Sequence, residues 1–387
     1  MISRSIARRA LAVPAALLMA CAAVSCAGGP FSEPAAFQVD PVYLDPKLSG
    51  SVDQLKPITD FCGERPIKVA LADGVGDNAF RKTARAEFED EVSKCPNLEL
   101  LPYADGQGNP QKAISDIKAL VALGVDALVV FPDAGPALLP TLREAFEAGV
   151  AVVPYTASPG GTPGVDYTTF VGHNTVTDGG VWARWVCTAL GTEGGNAVFL
   201  GGTPGNAQSL SEIHGIEDEL ANNPDCKNVT LLNEPGTPID TGWNPAQTQR
   251  VVAGLLAKHP KIDAVITDSG DGSLGGIRAF LQAGRPLPVW TANDNNGFAC
   301  AYVDNKAKQP QFQIVAVTSR TWIVRLALRK AVAAAQGIPE PEPDIVNVPI
   351  VWDSLDPELP PRCERDLPSS AVTSAELSTD KLAEIYR

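Results

Sequence analysis

The chain has 387 residues, with 31 Lys and Arg against 45 Asp and Glu and a formal net charge of −14. That balance excludes a nucleic-acid binder, which needs a basic stripe to meet phosphates, and gives a surface that repels polyanions. The length left after the leader described below exceeds what one hydrophobic core supports, so two lobes are expected.

Arg4, Arg8 and Arg9 precede an uncharged apolar run over residues 10–24. The run is shorter than the roughly 20 residues a membrane-spanning helix needs, and its flanks are those of an export signal. Residues 18–21 and 23–26 both resemble the lipobox of bacterial lipoproteins, whose cysteine becomes the acylated first residue. Cleavage before Cys26 leaves Cys62, Cys95, Cys187, Cys226, Cys300 and Cys363, an even set suited to an oxidising compartment, whereas cleavage before Cys21 strands Cys26 as an odd thiol. The expected anchor is therefore Cys26, residues 1–26 stand outside the fold, and the protein sits at the outer face of the cytoplasmic membrane. Residues 27–65 start rich in Pro, Ser, Gly and acids and read as a tether without fixed structure. No Cys-x-x-Cys occurs and the histidines are His173, His214 and His259, so neither a zinc cluster nor any other metal or cofactor is expected.

Residues 67–72 form a short apolar run followed by a Gly-rich turn and a charged amphipathic stretch over 80–94, the pattern of strand, loop and helix. It recurs as a strand at 98–103, a helix at 111–123 with Ile114, Ile117 and Val121 on one face, a strand at 127–131, a helix at 137–148 and a strand at 150–155. A second series follows: helices at 178–190, 208–222, 246–258 and 274–283 alternate with strands at 197–200, 229–232, 264–267 and 289–291. A helix at 322–336 and a strand at 346–352 complete the series, and residues 353–387, Pro-rich and then weakly helical, have no assigned role. Continuous apolar strands alternating with helices specify parallel sheets covered on both faces, an α/β chain of two similar units in tandem. Cys62 and Cys95 precede the first and second strands, at one end of one sheet, so disulfides between sequence neighbours are expected: Cys62 with Cys95, Cys187 with Cys226, Cys300 with Cys363.

Several segments, in order, resemble one family pattern: 67–80, 105–112, 123–132, 148–154, 170–174, 201–205 and 258–265. The chain is similar to the type I periplasmic sugar-binding proteins of the ribose, galactose and xylose group, which serve ABC importers. The resemblance implies two doubly wound Rossmann-like lobes joined by a three-crossing hinge, with the ligand beyond the carboxyl ends of the strands and hinge closure around it. It places crossings near Thr169, Val317 and Asn347. The N-terminal lobe is then 66–170, completed by 318–346, the C-terminal lobe 171–317, completed by 347–365, and 366–387 is a tail. It also implies a transporter permease as partner, a monomer, and binding without catalysis.

In that family an Asn and one or two aromatics after the first strand contact the sugar; here Asn78 and Phe80 match, and Arg81 takes the second aromatic position. Phe80 also fits as the first core residue of its helix. Trp243 falls where the family places a stacking aromatic, whose face suits the C–H side of a sugar; Trp290 and Trp322 fit either the site or the core. Other strand ends supply Asp133, Tyr155, Thr156, Asp268, Ser269, Asp271, Asn293 and Asp294, and Thr318 sits at a crossing. Asp133 and Asp271 fit helix capping as well as binding. Ribose-type members carry an Asp-Arg pair where this chain has Thr156 and Ala157, and an arginine near Ser209 and Leu210, so their hydroxyl clamps are gone and Arg81 is the one cation expected to compensate. A neutral sugar or sugar alcohol is the expected ligand, and Trp243→Ala and Asn78→Ala are each expected to weaken its binding without changing the stability of the ligand-free protein.

Gly74 to Ala79 also fits the G-x-G-x-x-A turn of a dinucleotide-binding oxidoreductase, with Asp105 ending the second strand. No G-x-S-x-G elbow, P-loop lysine or His pair is present to run a hydrolase or kinase. A receptor for a membrane sensor, or for a nucleoside or furanose signal, is the reading that keeps the fold and changes the task.

Overall fold

The computed structural model describes residues 39–45, 47–76 and 78–386. The export signal, both lipobox cysteines and the first part of the expected tether lie outside these residues. In chain order the regular elements are β1 (Ser49–Ser51), β2 (Ile67–Asp73), α1 (Ala79–Val92), β3 (Leu98–Leu100), β4 (Ala104–Asp105), α2 (Pro110–Ala122), β5 (Ala127–Phe131), α3 (Leu139–Glu147) and β6 (Ala151–Pro154). Next come β7 (Gly172–His173), α4 (Thr175–Leu190), β8 (Gly195–Gly201), α5 (Ala207–Asn222), β9 (Val229–Leu231), β10 (Ile239–Asp240), α6 (Pro245–Lys258), β11 (Ala264–Thr267), α7 (Gly270–Gln282), β12 (Val289–Asn293) and α8 (Asn296–Lys306). The chain finishes with β13 (Ile314–Val317), α9 (Ile323–Gln336), β14 (Ile345–Asn347), β15 (Ile350–Asp353) and α10 (Thr379–Ile385).

Two doubly wound sheets result. The first has the order β3-β2-β5-β6, all parallel, with β4 beside the end of β2. The second runs β10-β8-β11-β12-β13-β15, with β9 also on β8, and only β15 is antiparallel. Their strands are short apolar runs buried on both faces, as in β5 and β11. Side chains that follow the strands start the helices: Asn78, Asn109, Asn174, Asn206, Asn244, Ser269 and Asn295 each accept a hydrogen bond from a first-turn backbone N–H. The chain passes between the sheets at 155–174, at 318–322 and at 347–350, and β1, β14 and β7 form a small parallel sheet beside these passages.

Three disulfides join Cys62 to Cys95, Cys187 to Cys226 and Cys300 to Cys363. Where the sequence suggested a tether through residue 65, described residues from 39 onward pack on the body: Tyr43 and Ile58 are buried, the Asn174 side chain donates to the Tyr43 carbonyl at 3.1 Å, and β1 pairs with β14. The apolar residues scattered among the Pro and Gly anchor it. The strand expected over 98–103 breaks at Pro102, which has no N–H for the ladder. The strand expected over 346–352 divides into β14 and β15 where the chain changes sheets, and α8 and β13 went unread in the sequence.

Helix α9 lies between β5, β6 and α1 and carries arginines into that interior. Arg325, 1 % exposed, meets Glu87 at 3.2 Å, Asp90 at 2.8 Å and Glu91 at 2.9 Å, and Arg329 bridges Glu91 and Glu342. Removing one partner from such a cluster leaves buried charge without compensation, at about 3–5 kcal/mol. Arg325→Met is therefore expected to lose at least ~3 kcal/mol in denaturant unfolding; a loss near the ~0.5 kcal/mol of a surface substitution would show the cluster to be energetically neutral.

Candidate functional site

A cavity of about 540 Å³ lies where the carboxyl ends of the two sheets face each other. On the side of the first sheet, Phe80 from α1, Phe131 from β5, and Asn78, Arg81, Asp133 and Thr156 line it. Arg81 is buried, donates to Asp73 at 3.1 Å and to Asp133 at 2.8 Å, and lies over the Phe131 ring. Asp133 also accepts from the Val75 N–H at 3.1 Å. Arg81 and Asp133 thus line the cavity as a pair whose charges meet each other. Asn78 lines the cavity and also caps α1, its Oδ1 accepting from the Arg81 N–H at 2.9 Å. Tyr155 is fully buried against Phe131 and does not reach the cavity; the neighbouring Thr156, with φ of 62°, does.

On the side of the second sheet, Trp243 presents its ring, held at both ends of its geometry. Its Nε1 donates to Asp268 Oδ1 at 2.8 Å, and Gly202 leaves the space the indole occupies, since a Cβ there would overlap it. Asp268 takes a second bond on Oδ2 from the Gln208 side chain at 2.7 Å. Gln208 lines the cavity in place of Ser209, whose hydroxyl turns inward to accept from the Gly202 N–H at 2.9 Å. Helix phase explains the correction: one residue along α5 turns a side chain about 100° away. Ser269 and Asp271 both line the cavity, Ser269 also capping α7 at the Gly272 N–H. Asn293 ends β12 and Asp294 follows it, and Asp294 accepts four hydrogen bonds from Thr373 and Ser374. Trp290 and Trp322 are core residues, their N–H groups bonded to Ser273 and Thr318.

Between the lobes, the crossing at 318–322 adds groups that sequence reasoning missed. Thr318 turns away from the cavity to bond Trp322 and Ser374, whereas Ser319 and Arg320 line it. Arg320 is buried with φ of 72°, donates to Asp178 at 3.1 Å, and approaches Asp268 to 3.9 Å. The cleft thus holds a second guanidinium beyond Arg81. His173, from β7, is buried with both ring nitrogens lacking a hydrogen-bond partner, and Thr156 Oγ1 and Asn293 Oδ1 are orphaned likewise. All three residues line the cavity, and each unpaired buried group costs about 1–3 kcal/mol until a partner arrives.

The turn after β2 does not offer a pyrophosphate site. The Val75 N–H is taken by Asp133 and the Gly76 N–H by Asp105 at 2.9 Å, so two carboxylates stand where phosphate would need bare N–H groups.

The model of the periplasmic binding protein domain matches residues 69–339, most of the chain. The chain belongs to the periplasmic binding protein family. This is the family whose motif order the sequence resembles. The ribose import binding protein of Bacillus subtilis is 24 % identical over 256 residues, covering 64 % of this chain and 78 % of the relative. The xylitol-binding protein of Mycolicibacterium smegmatis is 27 % identical over 204 residues, covering 52 % of this chain and 55 % of the relative. Among solved structures, the Caulobacter myo-inositol binding protein bound to myo-inositol is similar in fold, with a TM-score of 0.60 at 23 % identity over 74 % of this chain and 93 % of that one. The periplasmic binding protein family is one of solute-binding proteins that work outside the cytoplasm, and no helix among the described residues is long and apolar enough to cross a membrane.

Burial dominates the electrostatics of this periplasmic binding protein. It pushes Asp178 up to about 7 against the pull of Arg320, Asp73 up to about 6 against that of Arg81, and Glu87 up to about 8 against that of Arg325. It also raises Asp268, Glu212 and Asp294, and it drives His173 well below its ordinary value, with Arg320 adding to the effect, so the imidazole is neutral and offers one donor and one acceptor. A carboxyl raised in the folded state keeps a proton that the unfolded chain releases, so its stabilising contribution is complete below about pH 4 and is lost as pH rises through the folded value. Stability is therefore expected to fall between pH 5 and 8, and Asp178→Asn to flatten part of that slope; an unchanged slope in thermal melts of the variant would contradict the assignment. Asn78→Ala is expected to lower stability by about 1 kcal/mol through the lost cap, correcting the expectation of no change. Trp243→Ala is expected to cost at least tenfold in ligand affinity, about 1.4 kcal/mol, by calorimetry with the compound that most raises the melting temperature in a thermal-shift screen.

Proposed function

We propose that the protein is the extracytoplasmic receptor of an ABC importer and closes its two lobes around a neutral sugar or sugar alcohol. The observation that carries this reading is the convergence of His173, Thr156 and Asn293, orphaned polar groups from the two ends of the 155–174 passage and from the end of β12, on one cavity flanked by Phe80 and Trp243. Hydroxyls both donate and accept, so a polyhydroxy compound pairs with all three while its C–H faces lie on the rings. The charges favour a neutral ligand: Arg81 and Arg320 are held by carboxylates, and Asp268, Asp271 and Asp294 also line the cavity and repel an anion. The named ligands of the relatives, ribose and xylitol, and of the myo-inositol binding structure, belong to this class. In this reading the lobes move about the three passages, a permease receives the ligand, a lipid on Cys26 holds the monomeric receptor at the membrane, and no bond of the ligand is broken.

A thermal-shift screen of pentoses, hexoses and linear and cyclic polyols, beside sugar phosphates and sugar acids, tests it. A ligand at a thousand times its Kd stabilises by about 4.1 kcal/mol. At least one neutral compound is expected to raise the melting temperature; a response confined to the phosphates or acids would overturn the neutral-ligand reading.

A further inference from the structure

Residues 363–386 lie beyond the part of the chain that matches the family model, and they link the lobes. The segment leaves the Cys300–Cys363 disulfide on α8 and lies along the start of that helix. There the buried Asn296 donates from Nδ2 to the carbonyls of Glu364, Leu367 and Pro368, and its N–H donates to that of Ala371. The Gly297 N–H donates to Ser369 O at 2.8 Å, and a Cβ on Gly297 would strike Ser369, so the close approach needs that glycine. Ser370 and Val372 then line the cavity. Thr373 and Ser374 grip Asp294 through both backbone N–H groups and both hydroxyls at 2.6–3.0 Å, and Ser374 Oγ also meets Thr318 Oγ1 at 2.8 Å and the Ser319 N–H at 2.9 Å.

Two residues later the chain is fastened to the other lobe. The Glu376 N–H donates to Glu87 Oε1 at 3.1 Å, and Arg325 donates to the Glu376 carbonyl at 2.7 Å. Helix α10 then docks on α1, with Lys381 paired to Asp90 and Tyr386 Oη bonded to Thr83 Oγ1 at 2.8 Å.

We infer that this tail is a strap, a fourth connection between the lobes that completes the cavity wall and limits how far the lobes open. From Ser374 to Glu376 the chain spans two residues, at most about 7 Å when fully extended. The Asp294 anchor and the Glu87–Arg325 anchor cannot separate further unless one of them breaks. Breaking the first strands a buried carboxylate that burial already raises, and breaking the second opens the Arg325 cluster, so both ends resist. Opening is thereby restricted to rotations that pivot beside the 318–322 crossing. The strap acts on the ligand-free protein and does not depend on which ligand binds.

The test reads the interlobe distance by single-molecule energy transfer, with dyes attached through p-azidophenylalanine at the exposed Leu123 and Leu281, one on each lobe. Without ligand, the intact protein is expected to give one narrow distribution. The variant Asp294→Ala, which removes the acceptor of all four bonds, and a chain ending at Arg365, are expected to shift it to longer mean distance and greater width. Should the shortened chain fail to fold, the Asp294→Ala variant, which keeps the whole tail, still decides the matter. Hydrogen exchange of the unaltered ligand-free protein gives a second reading: the Thr373, Ser374 and Glu376 amides are expected to exchange slowly. Identical distance distributions in the intact and Asp294→Ala proteins, or fast exchange at those amides, would overturn the strap.

Discussion

Arg320 is the charge on which the cleft depends. It is carried on the crossing between β13 and α9, in a left-handed backbone conformation that costs a non-glycine residue about 1–3 kcal/mol, and this places its guanidinium between Asp178 of α4 and Asp268 at the end of β11. Asp268 in turn orients Trp243 and Gln208. The chain of dependence therefore runs from a hinge residue, through a buried carboxylate, to the ring that faces the cavity. On the proposed reading, movement at the crossing reaches the cavity wall through that guanidinium.

The second constraint is the competition for polar side chains at the strand ends. Seven loops spend an Asn or Ser on starting a helix, which leaves fewer groups for a ligand than the sequence suggests. Asn78 and Ser269 cap a helix and border the cavity at once, and Asp294 borders it while being held by the tail. What remains unpaired, Thr156, His173 and Asn293, comes from the two ends of the 155–174 passage and from the end of β12. A cavity whose two arginines are held by carboxylates, and three of whose neutral groups are orphaned, suits the neutral, hydroxyl-rich ligands proposed above.

The alternating strands and helices were legible because each strand is a short apolar run punctuated by Gly or Pro and each helix opens on a capping residue. Trp243, Thr156 and Asn293 could be placed because strand ends and the loop before α6 are marked in the sequence. Gln208 was not, because helix phase within a loop-to-helix junction is uncertain by one residue and Ser209 stood beside it. Arg320 and His173 were missed because they belong to passages between sheets, where no periodicity marks which side chain turns inward. The tail was opaque for a different reason: its partners Asp294, Glu87 and Thr83 lie 79 to 303 residues away in sequence, and neither local propensity nor pattern records such pairings.

The account stands on a neutral polyhydroxy ligand seated between Phe80 and Trp243 and satisfying His173, Thr156 and Asn293. Isothermal calorimetry of the best stabilising sugar or polyol against the native protein and against Asn293→Ala measures this most directly. A single site on the native protein, with at least tenfold weaker binding to the variant, is the predicted result. Equal affinity for both proteins would contradict the account, because it would place the ligand away from the orphaned groups.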